Sequence, residues 1–366
     1  SNSNGDIEFI GKSSSVPSYF GYPNSVVIGN GGSGNITITV DEIAFDGSVQ
    51  TARSSTTSIN TIGHLTIRPW GNDFGPYTRQ GSNILSSNVN TNGATASLEW
   101  RGTVTGSDYT FNDATTTDFY NLIIKNRATL GGLTIGRDGS NKPNLIEKSI
   151  DIAGPITIYG GNISVNASLN TNAAEITGNI LLKATEGISL NGSVTTNNAD
   201  FIAWANSDAT GDGDISVAND VTINTVNGST VSGLSGGGHI VLAGGADDGS
   251  NGGVEGDGIP DGYAFSSSGV GVKLGTTEYS TTQMSSGGGD IIIRGKSTKT
   301  GGDNVDNIGL YQSGIWIANS GSGSILVYGS SDGFYGVNFG RPITNQPTGT
   351  KQLSLSSSKT SGDAIF

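Results

Sequence analysis

The chain is predicted to be all-β and to wind as a right-handed parallel β-helix (solenoid) with long loop insertions. Three observations carry that expectation. One short phrase, Gly-X-Ile-X-Ile/Leu/Val, recurs ten times along the sequence. Inside each copy branched apolar residues alternate with small polar ones, the period of a strand with one buried face. Between copies lie glycine-rich turns rather than helical segments, and a chain that reuses one strand-and-turn unit buries the apolar face of each coil against the next. A β-sandwich with glycine turns would also show many short strands, but it has no reason to reuse one phrase.

In chain order the phrase opens at Gly34-Asn35-Ile36, Gly63-His64-Leu65, Gly154-Pro155-Ile156, Gly161-Asn162-Ile163 and Gly178-Asn179-Ile180. It continues at Gly187-Ile188, Gly213-Asp214-Ile215, Gly238-His239-Ile240, Gly289-Asp290-Ile291 and Gly323-Ser324-Ile325. The steps Ile156 to Ile180 (24 residues), Ile180 to Ile202 (22), Ile163 to Ile188 (25) and Ile215 to Ile240 (25) define the period. Such a length holds three short strands and three turns, as a coil of a parallel β-helix requires. Alternation puts Ile180 and Ile240 inside and Thr157 outside. Leucine-rich repeats have a similar period, but their Leu-X-X-Leu-X-Leu signature is missing, and the Gly, Thr and Asn content disfavours helical repeats.

Two regions follow from this reading. Residues 118–366 carry regular repeats, with an Asp/Gly-rich insertion at 244–286. Residues 1–117 read as irregular coils with longer loops, their strands marked by Ile7-Glu8-Phe9-Ile10, Val26-Val27-Ile28 and Ser97-Leu98-Glu99-Trp100. Because a repeat array has no single central core, the 366-residue length does not by itself count domains.

Composition narrows the function classes. Only 13% of residues are charged, so the polarity comes from hydroxyls and amides interleaved with aliphatics; such a chain folds, whereas disordered chains are polar through charge. With 18 Lys and Arg against 31 acids, a net charge of −13, there is no basic stripe for phosphate, and nucleic acid is excluded as a partner. The absence of cysteine excludes disulfides, thiolate metal sites and a cysteine nucleophile. No apolar run is long enough for a transmembrane helix, and Ser1-Asn2-Ser3-Asn4-Gly5-Asp6 has no basic region followed by an apolar stretch, so no export signal is expected in the chain.

The segment from about Asn121 through Gly329 resembles the filamentous haemagglutinin-like repeats of very large bacterial, flavobacterial-type surface adhesins. The likeness rests on Leu130-Gly131-Gly132-Leu133-Thr134-Ile135-Gly136, Ala153-Gly154-Pro155-Ile156-Thr157-Ile158-Tyr159-Gly160-Gly161-Asn162-Ile163, Phe201-Ile202-Ala203-Trp204-Ala205-Asn206-Ser207-Asp208, Gly256-Asp257-Gly258-Ile259-Pro260-Asp261-Gly262-Tyr263-Ala264 and Gly321-Ser322-Gly323-Ser324-Ile325-Leu326-Val327-Tyr328-Gly329. The resemblance implies an extracellular stalk at the bacterial cell surface, one part of a longer polypeptide used in attachment, gliding motility or biofilm cohesion. Its implied partners are other segments of that polypeptide or neighbouring subunits, and surface polysaccharide or a host or other substratum. No amino-terminal secretion-domain signature of the two-partner type is present.

Candidate chemistry sits in two acidic loops. Calcium takes six to eight oxygens on a tightly turning backbone, and Asp or Asn alternating with Gly supplies both. The first loop offers Asp247, Asp248, Asn251, Asp257 and Asp261; counting from Asp247, position 12 is Gly258 rather than a closing Glu. The second offers Asp208, Asp212 and Asp214, with Asn219 at position 12. A solvated turn explains the same residues. The pairs Asp212/Asp214 and Asp257/Asp261 would supply the carboxylates of a glycosidase, but they too lie where turns favour Asp, and Lys and Arg are too dispersed for a lyase base.

No catalysis is therefore expected; a carbohydrate-active β-helix enzyme and a self-assembling filament or sheath subunit are the alternatives to a mechanical, attachment-type role. His64 and His239 each hold the X of a phrase and are expected to be exposed strand residues. Trp204 and Trp316 lie within strand patterns and are expected in the core or stacked between coils. The turn Asp332-Gly333-Phe334-Tyr335-Gly336 is the candidate sugar-stacking patch, with Phe334 and Tyr335 as the ligand-facing rings.

Overall fold

The structure, a computed structural model, describes residues 5–11, 35–40 and most of 132–332, with the backbone alone of several further strands. Positions 142, 147–148, 153, 172–177, 227–236, 276–281, 301–307, 313–314 and 320–322 lie outside the described residues. Among the described residues there is no α-helix, and the sole helical turn is a 3-10 turn at Ser250–Gly252. No helix is long and apolar enough to cross a membrane among them.

The chain is all-β and most of its strands form three long parallel sheets, with two short two-stranded parallel sheets toward the amino terminus. From Leu133 onward the three long sheets are visited in rotation, the extra first-sheet strand Ala264–Ser266 aside. One turn of the rotation runs Ile156–Gly160 in the first sheet, Ile163–Val165 in the second and Leu169–Asn170 in the third. The next runs Ile180–Ala184, Ile188–Leu190 and Val194–Thr195, and the next Phe201–Ala205, Ile215–Val217 and Thr222–Asn224. Each strand pairs in parallel with its counterpart one rotation earlier and one later, as in Ile156↔Ile180 and Ile163↔Ile188. This order is compatible with a parallel β-helix. The amino-terminal region joins the same array: Ile7–Gly11, Ile36–Val40, His64–Pro69 and Ser97–Trp100 are successive parallel strands of the first sheet.

Alternation sets the core. In Ile156–Gly160 and Ile180–Ala184 every odd residue of the strand is buried and every even one half-buried. Ile156, Ile158, Ile180, Leu182, Ile163, Val165, Ile188, Leu190, Leu169 and Val194 all point into one continuous aliphatic cluster. A regular lattice of inward aliphatics follows from in-register parallel pairing, because a one-residue slip would turn the whole row outward.

Two steps of the expected period are corrected. Ile180 stacks on Phe201 rather than on Ile202, which faces outward opposite Leu181. The inner row admits the ring because the next inward residues, Ala203 and Ala205, are small, Ala203 lying between Leu182 and Leu242. Ile215 and Ile240 are not one coil apart on one row: Ile215 belongs to the second sheet and pairs with Val272, whereas Ile240 belongs to the first and pairs with Phe201 and Ile291. Both begin with the same phrase, so the phrase alone does not tell which sheet a strand enters.

The phrase has a geometric cause. A Cβ at Gly238 would run into the Ala199 carbonyl, and one at Gly289 would run into the backbone of Gly238, so these positions hold stacked backbones that no side chain fits between. The residue just before the strand closes a ladder. The Asp200 N–H donates to Asn179 Oδ1 (3.0 Å), His239 N–H to Asp200 Oδ1 (2.7 Å), Asp290 N–H to His239 Nδ1 (2.9 Å) and Ser324 N–H to Asp290 Oδ1 (2.6 Å). At the preceding corner buried hydroxyls do similar work, Thr171 donating to the Gly178 carbonyl (2.5 Å), Thr196 to Ala199 (2.5 Å) and Thr225 to Gly238 (2.7 Å). These bonds satisfy polar groups that the turns would otherwise leave buried and unpaired.

Candidate functional site

The outward row of the first sheet changes character along its length. Its in-register members are Glu8, Thr37, Thr66, Glu99, Thr134 and Thr157, then Leu181, Ile202, Val241, Ile292, Leu326 and Ile365. An apolar row on an outer face is informative because outward positions of a half-solvated sheet are ordinarily polar. Val241, Ala243 and Ile292 are buried and form a second hydrophobic cluster, separate from the core, against which Ile202, Ile259 and Leu326 pack. The strand runs Ile240-Val241-Leu242 and Ile291-Ile292-Ile293 are thus buried on both faces.

Ile259 belongs to the insertion that covers this patch. Within 244–286 the strands Ala264–Ser266, Val272–Leu274 and Thr282–Ser286 rejoin the sheets, leaving 245–263 as the excursion. Its two ends meet, with Gly244 bridged antiparallel to Gly262 and the Asp261 N–H donating to the Ala246 carbonyl (3.0 Å). The return strand Ala264–Ser266 then pairs in parallel with Gly295–Ser297.

Its anchor is polar and buried. Arg294 is 5% exposed and Asp261 1%. The Arg294 guanidinium donates through Nη1 to the Pro260 carbonyl (3.0 Å), stands 3.9 Å from Asp261 Oδ1 and lies over the Tyr328 ring at 5.6 Å. Asp261 Oδ2 in turn accepts the Gly249 N–H (2.7 Å). Trp204, 7% exposed, takes an outward position yet is buried beneath the start of the insertion: its Nε1–H donates to the Gly245 carbonyl (2.7 Å) and Lys183 Nζ caps its ring at 4.4 Å. Trp204 is thus buried, on the outer side of the sheet and outside the inner aliphatic cluster.

The second acidic loop meets the return strand that follows the first, a contact that their separation in sequence does not announce. Gly213 exchanges backbone hydrogen bonds with Phe265 (2.8 and 2.9 Å), and Asp212 accepts from both the N–H (3.1 Å) and the hydroxyl (2.8 Å) of Ser267. The remaining carboxylates shape turns. Asp247 accepts the Gly256 and Gly258 N–H groups (2.8 and 2.9 Å), Asp248 that of Ser250 (3.0 Å), Asp257 that of Ile259 (2.8 Å) and Asp208 that of Thr210 (3.0 Å). Asn251, at φ 51°, donates to the Asp261 carbonyl (2.8 Å).

Hydrogen bonds from Ser250 hold the Asp248 carboxyl below the ordinary aspartate range. Burial pushes the Asp214 carboxyl up, a backbone hydrogen bond opposes this, and the neighbouring Asp212 charge adds to it. Among the described residues no group of three or more His, Asp or Glu side chains converges on one point that a metal would occupy. The exposed tip of the excursion carries Val254, 63% exposed, beside Glu255.

His239 is half-exposed, as its place in the phrase implies, but it is a rung of the corner ladder rather than a strand residue. The side chains of His64, Trp316 and Tyr335 lie outside the described residues, as does Phe334 altogether; Tyr335 opens the strand Tyr335–Asn338, whose backbone pairs with Ile308–Gln312. Ile259 and Arg294 were not singled out by sequence reasoning. The signal for them was the unbroken apolar run in Ile240–Ala243 and Ile291–Ile293, too apolar for a strand with one solvated face.

Comparison with protein-family models, with curated proteins and with solved structures yields no match for this chain.

Proposed function

We propose that the three sheets close on one another as a right-handed parallel β-helix and that the chain is a segment of an extracellular filamentous adhesin or cell-surface stalk, with a mechanical, attachment-type role rather than a catalytic one. The observation that carries this reading is the rotation of the chain, from Leu133 onward, through three parallel sheets, with one aliphatic core running through successive coils. Such an array lengthens by adding coils, each contacting its neighbours, which suits a spacer. At about 4.8 Å per coil, the twelve successive first-sheet rungs make a rod of roughly 53 Å. The acidic, hydroxyl-rich surface and the lack of cysteine fit exposure outside the cell.

Electron microscopy of the purified chain tests the reading: single short rods are expected, whereas end-to-end polymers would favour a filament or sheath subunit. Incubation with acidic and neutral polysaccharides should yield no new reducing ends and no unsaturated products. Their appearance would overturn the non-catalytic assignment in favour of a carbohydrate-active enzyme.

A further inference from the structure

In a stacked-coil protein each coil ordinarily holds only its two neighbours, so the array behaves as a chain of nearest-neighbour contacts and opens locally at its weakest interface. The segment 245–267 adds to the strand ladders a second set of contacts outside the sheets. It belongs to the coil that begins at Ile240–Gly244 and bonds from there to the coil before and to the coil after at the same time. Toward the preceding coil it offers the Gly245 carbonyl to Trp204 (2.7 Å), the Gly245 N–H to Ala205 (3.2 Å), the Phe265 backbone to Gly213, and Ser267 to Asp212. Toward the following coil it offers the Pro260 carbonyl to Arg294 (3.0 Å), Asp261 to the same guanidinium, and the Ser266 carbonyl to the Thr298 N–H (3.0 Å). Ile259 meanwhile packs on the outer cluster of Val241, Ala243 and Ile292, against which Ile202 and Leu326 of the flanking first-sheet strands also pack.

We propose that this segment is an external clamp: it fastens the coils starting at Phe201, Ile240 and Ile291 into one cooperative unit that opens together rather than coil by coil. The chemistry of the contact supports a permanent strap. Its anchor is a buried arginine with a buried aspartate, a pair that is costly to separate because either charge alone would remain desolvated. Its lining is apolar, so lifting the strap exposes Val241, Ala243 and Ile292 to water. The clamp acts on the stacked coils of the proposed β-helix, whatever the rod attaches to.

The closed ends of the excursion make a clean test, since Ala246 and Asp261 are already hydrogen-bonded and residues 247–260 can be replaced by an Asn-Gly turn. Native-state hydrogen exchange is then followed in peptides covering Phe201–Ala205, Ile291–Ser297 and, as a distant reference, Ile163–Val165. In the intact chain the first two strands are expected to exchange at one common rate. In the excised chain both should lose protection tenfold or more, with the reference strand unchanged. The single variant Ile259→Ser, which keeps the loop, should lower protection at both strands in the same direction by a smaller factor, and it carries the test if the excised chain does not fold. Protection within twofold of the intact chain at either strand, or exchange of the two strands at unrelated rates in the intact chain, would overturn the clamp.

Discussion

The inner and outer rows of the first sheet run side by side on the same strands, yet they obey different rules. From Ile156 through Ile180, Phe201, Ile240 and Ile291 to Ile325 the inner row is large and apolar at every rung, because each side chain has the same neighbours above and below. The outer row is threonine and glutamate up to Thr157 and aliphatic from Leu181 onward. Stacking alone dictates the first, so it repeats. The second reports what lies over the sheet, and it turns apolar toward the coils that the excursion 245–263 comes to cover.

Substitutions on the two rows should therefore separate by size of effect. The largest is expected for Ile240→Asp, which sets an unpaired carboxylate among fully buried aliphatics. A loss of about 4 kcal/mol or more, read from urea unfolding, is expected there. On the outer face of the covered stretch, Arg294→Gln should cost about 3 kcal/mol by the same measurement, since Asp261 would stay buried without its cation. An outer-face effect below the scatter of surface substitutions would break the distinction between covered and open stretches.

A smaller effect, and one that depends on pH, is expected at Asp214. Its carboxyl titrates above the ordinary aspartate value because folding desolvates it. Between the unfolded and folded values the native chain holds more protons, so this group disfavours folding at neutral pH and the penalty is relieved as the medium is acidified through that window. In Asp214→Asn, which is isosteric and uncharged, that component should vanish from the dependence of the urea midpoint on pH between neutrality and the acid range. An unchanged pH profile would contradict the assignment. The smallest effect belongs to Thr157→Val, on the open part of the outer row: a shift within about 0.5 kcal/mol. A larger one would mean that Thr157 is covered and the outer row is not divided where the register places the change.

The same division explains what could be read without coordinates. The inner row was legible because burial on one face forces period two, and because stacked backbones force glycine before the strand, as at Gly238 and Gly289. Parallel pairing and the 24- and 25-residue steps from Ile156 to Ile180 and from Ile163 to Ile188 follow from that repetition. The step to Ile202 failed by one residue because Phe201 and Ile202 are both apolar and the outer row there is apolar too, so alternation lost its contrast. The pairing of Ile215 with Ile240 failed because its true partner, Val272, lies 57 positions further along (272 − 215), a coil that the excursion lengthens, while Ile240 opens a strand of another sheet.

For the site, the acidic residues were legible as turn formers, and Asp247, Asp248, Asp257 and Asp208 do accept the backbone N–H groups that such turns present. That Asp212 meets Ser267, and that Asp261 faces Arg294, depends on contacts 55 and 33 residues apart in the chain (267 − 212 and 294 − 261), which no local pattern encodes.

Successive strands of each sheet lie in parallel register, and the lack of cysteine makes that register directly measurable. The double substitution Ser164→Cys with Ser189→Cys places thiols on adjacent rungs of the second sheet, 25 residues apart in sequence. Adjacent parallel strands bring Cα atoms within about 5 Å, inside the range a disulfide spans. Under mild oxidation of the folded chain this pair should close readily. The pair Ser164→Cys with Ser216→Cys, two rungs apart, should stay open. Failure of the adjacent pair to close in a folded chain, or closure of the two-rung pair instead, would contradict the stacking.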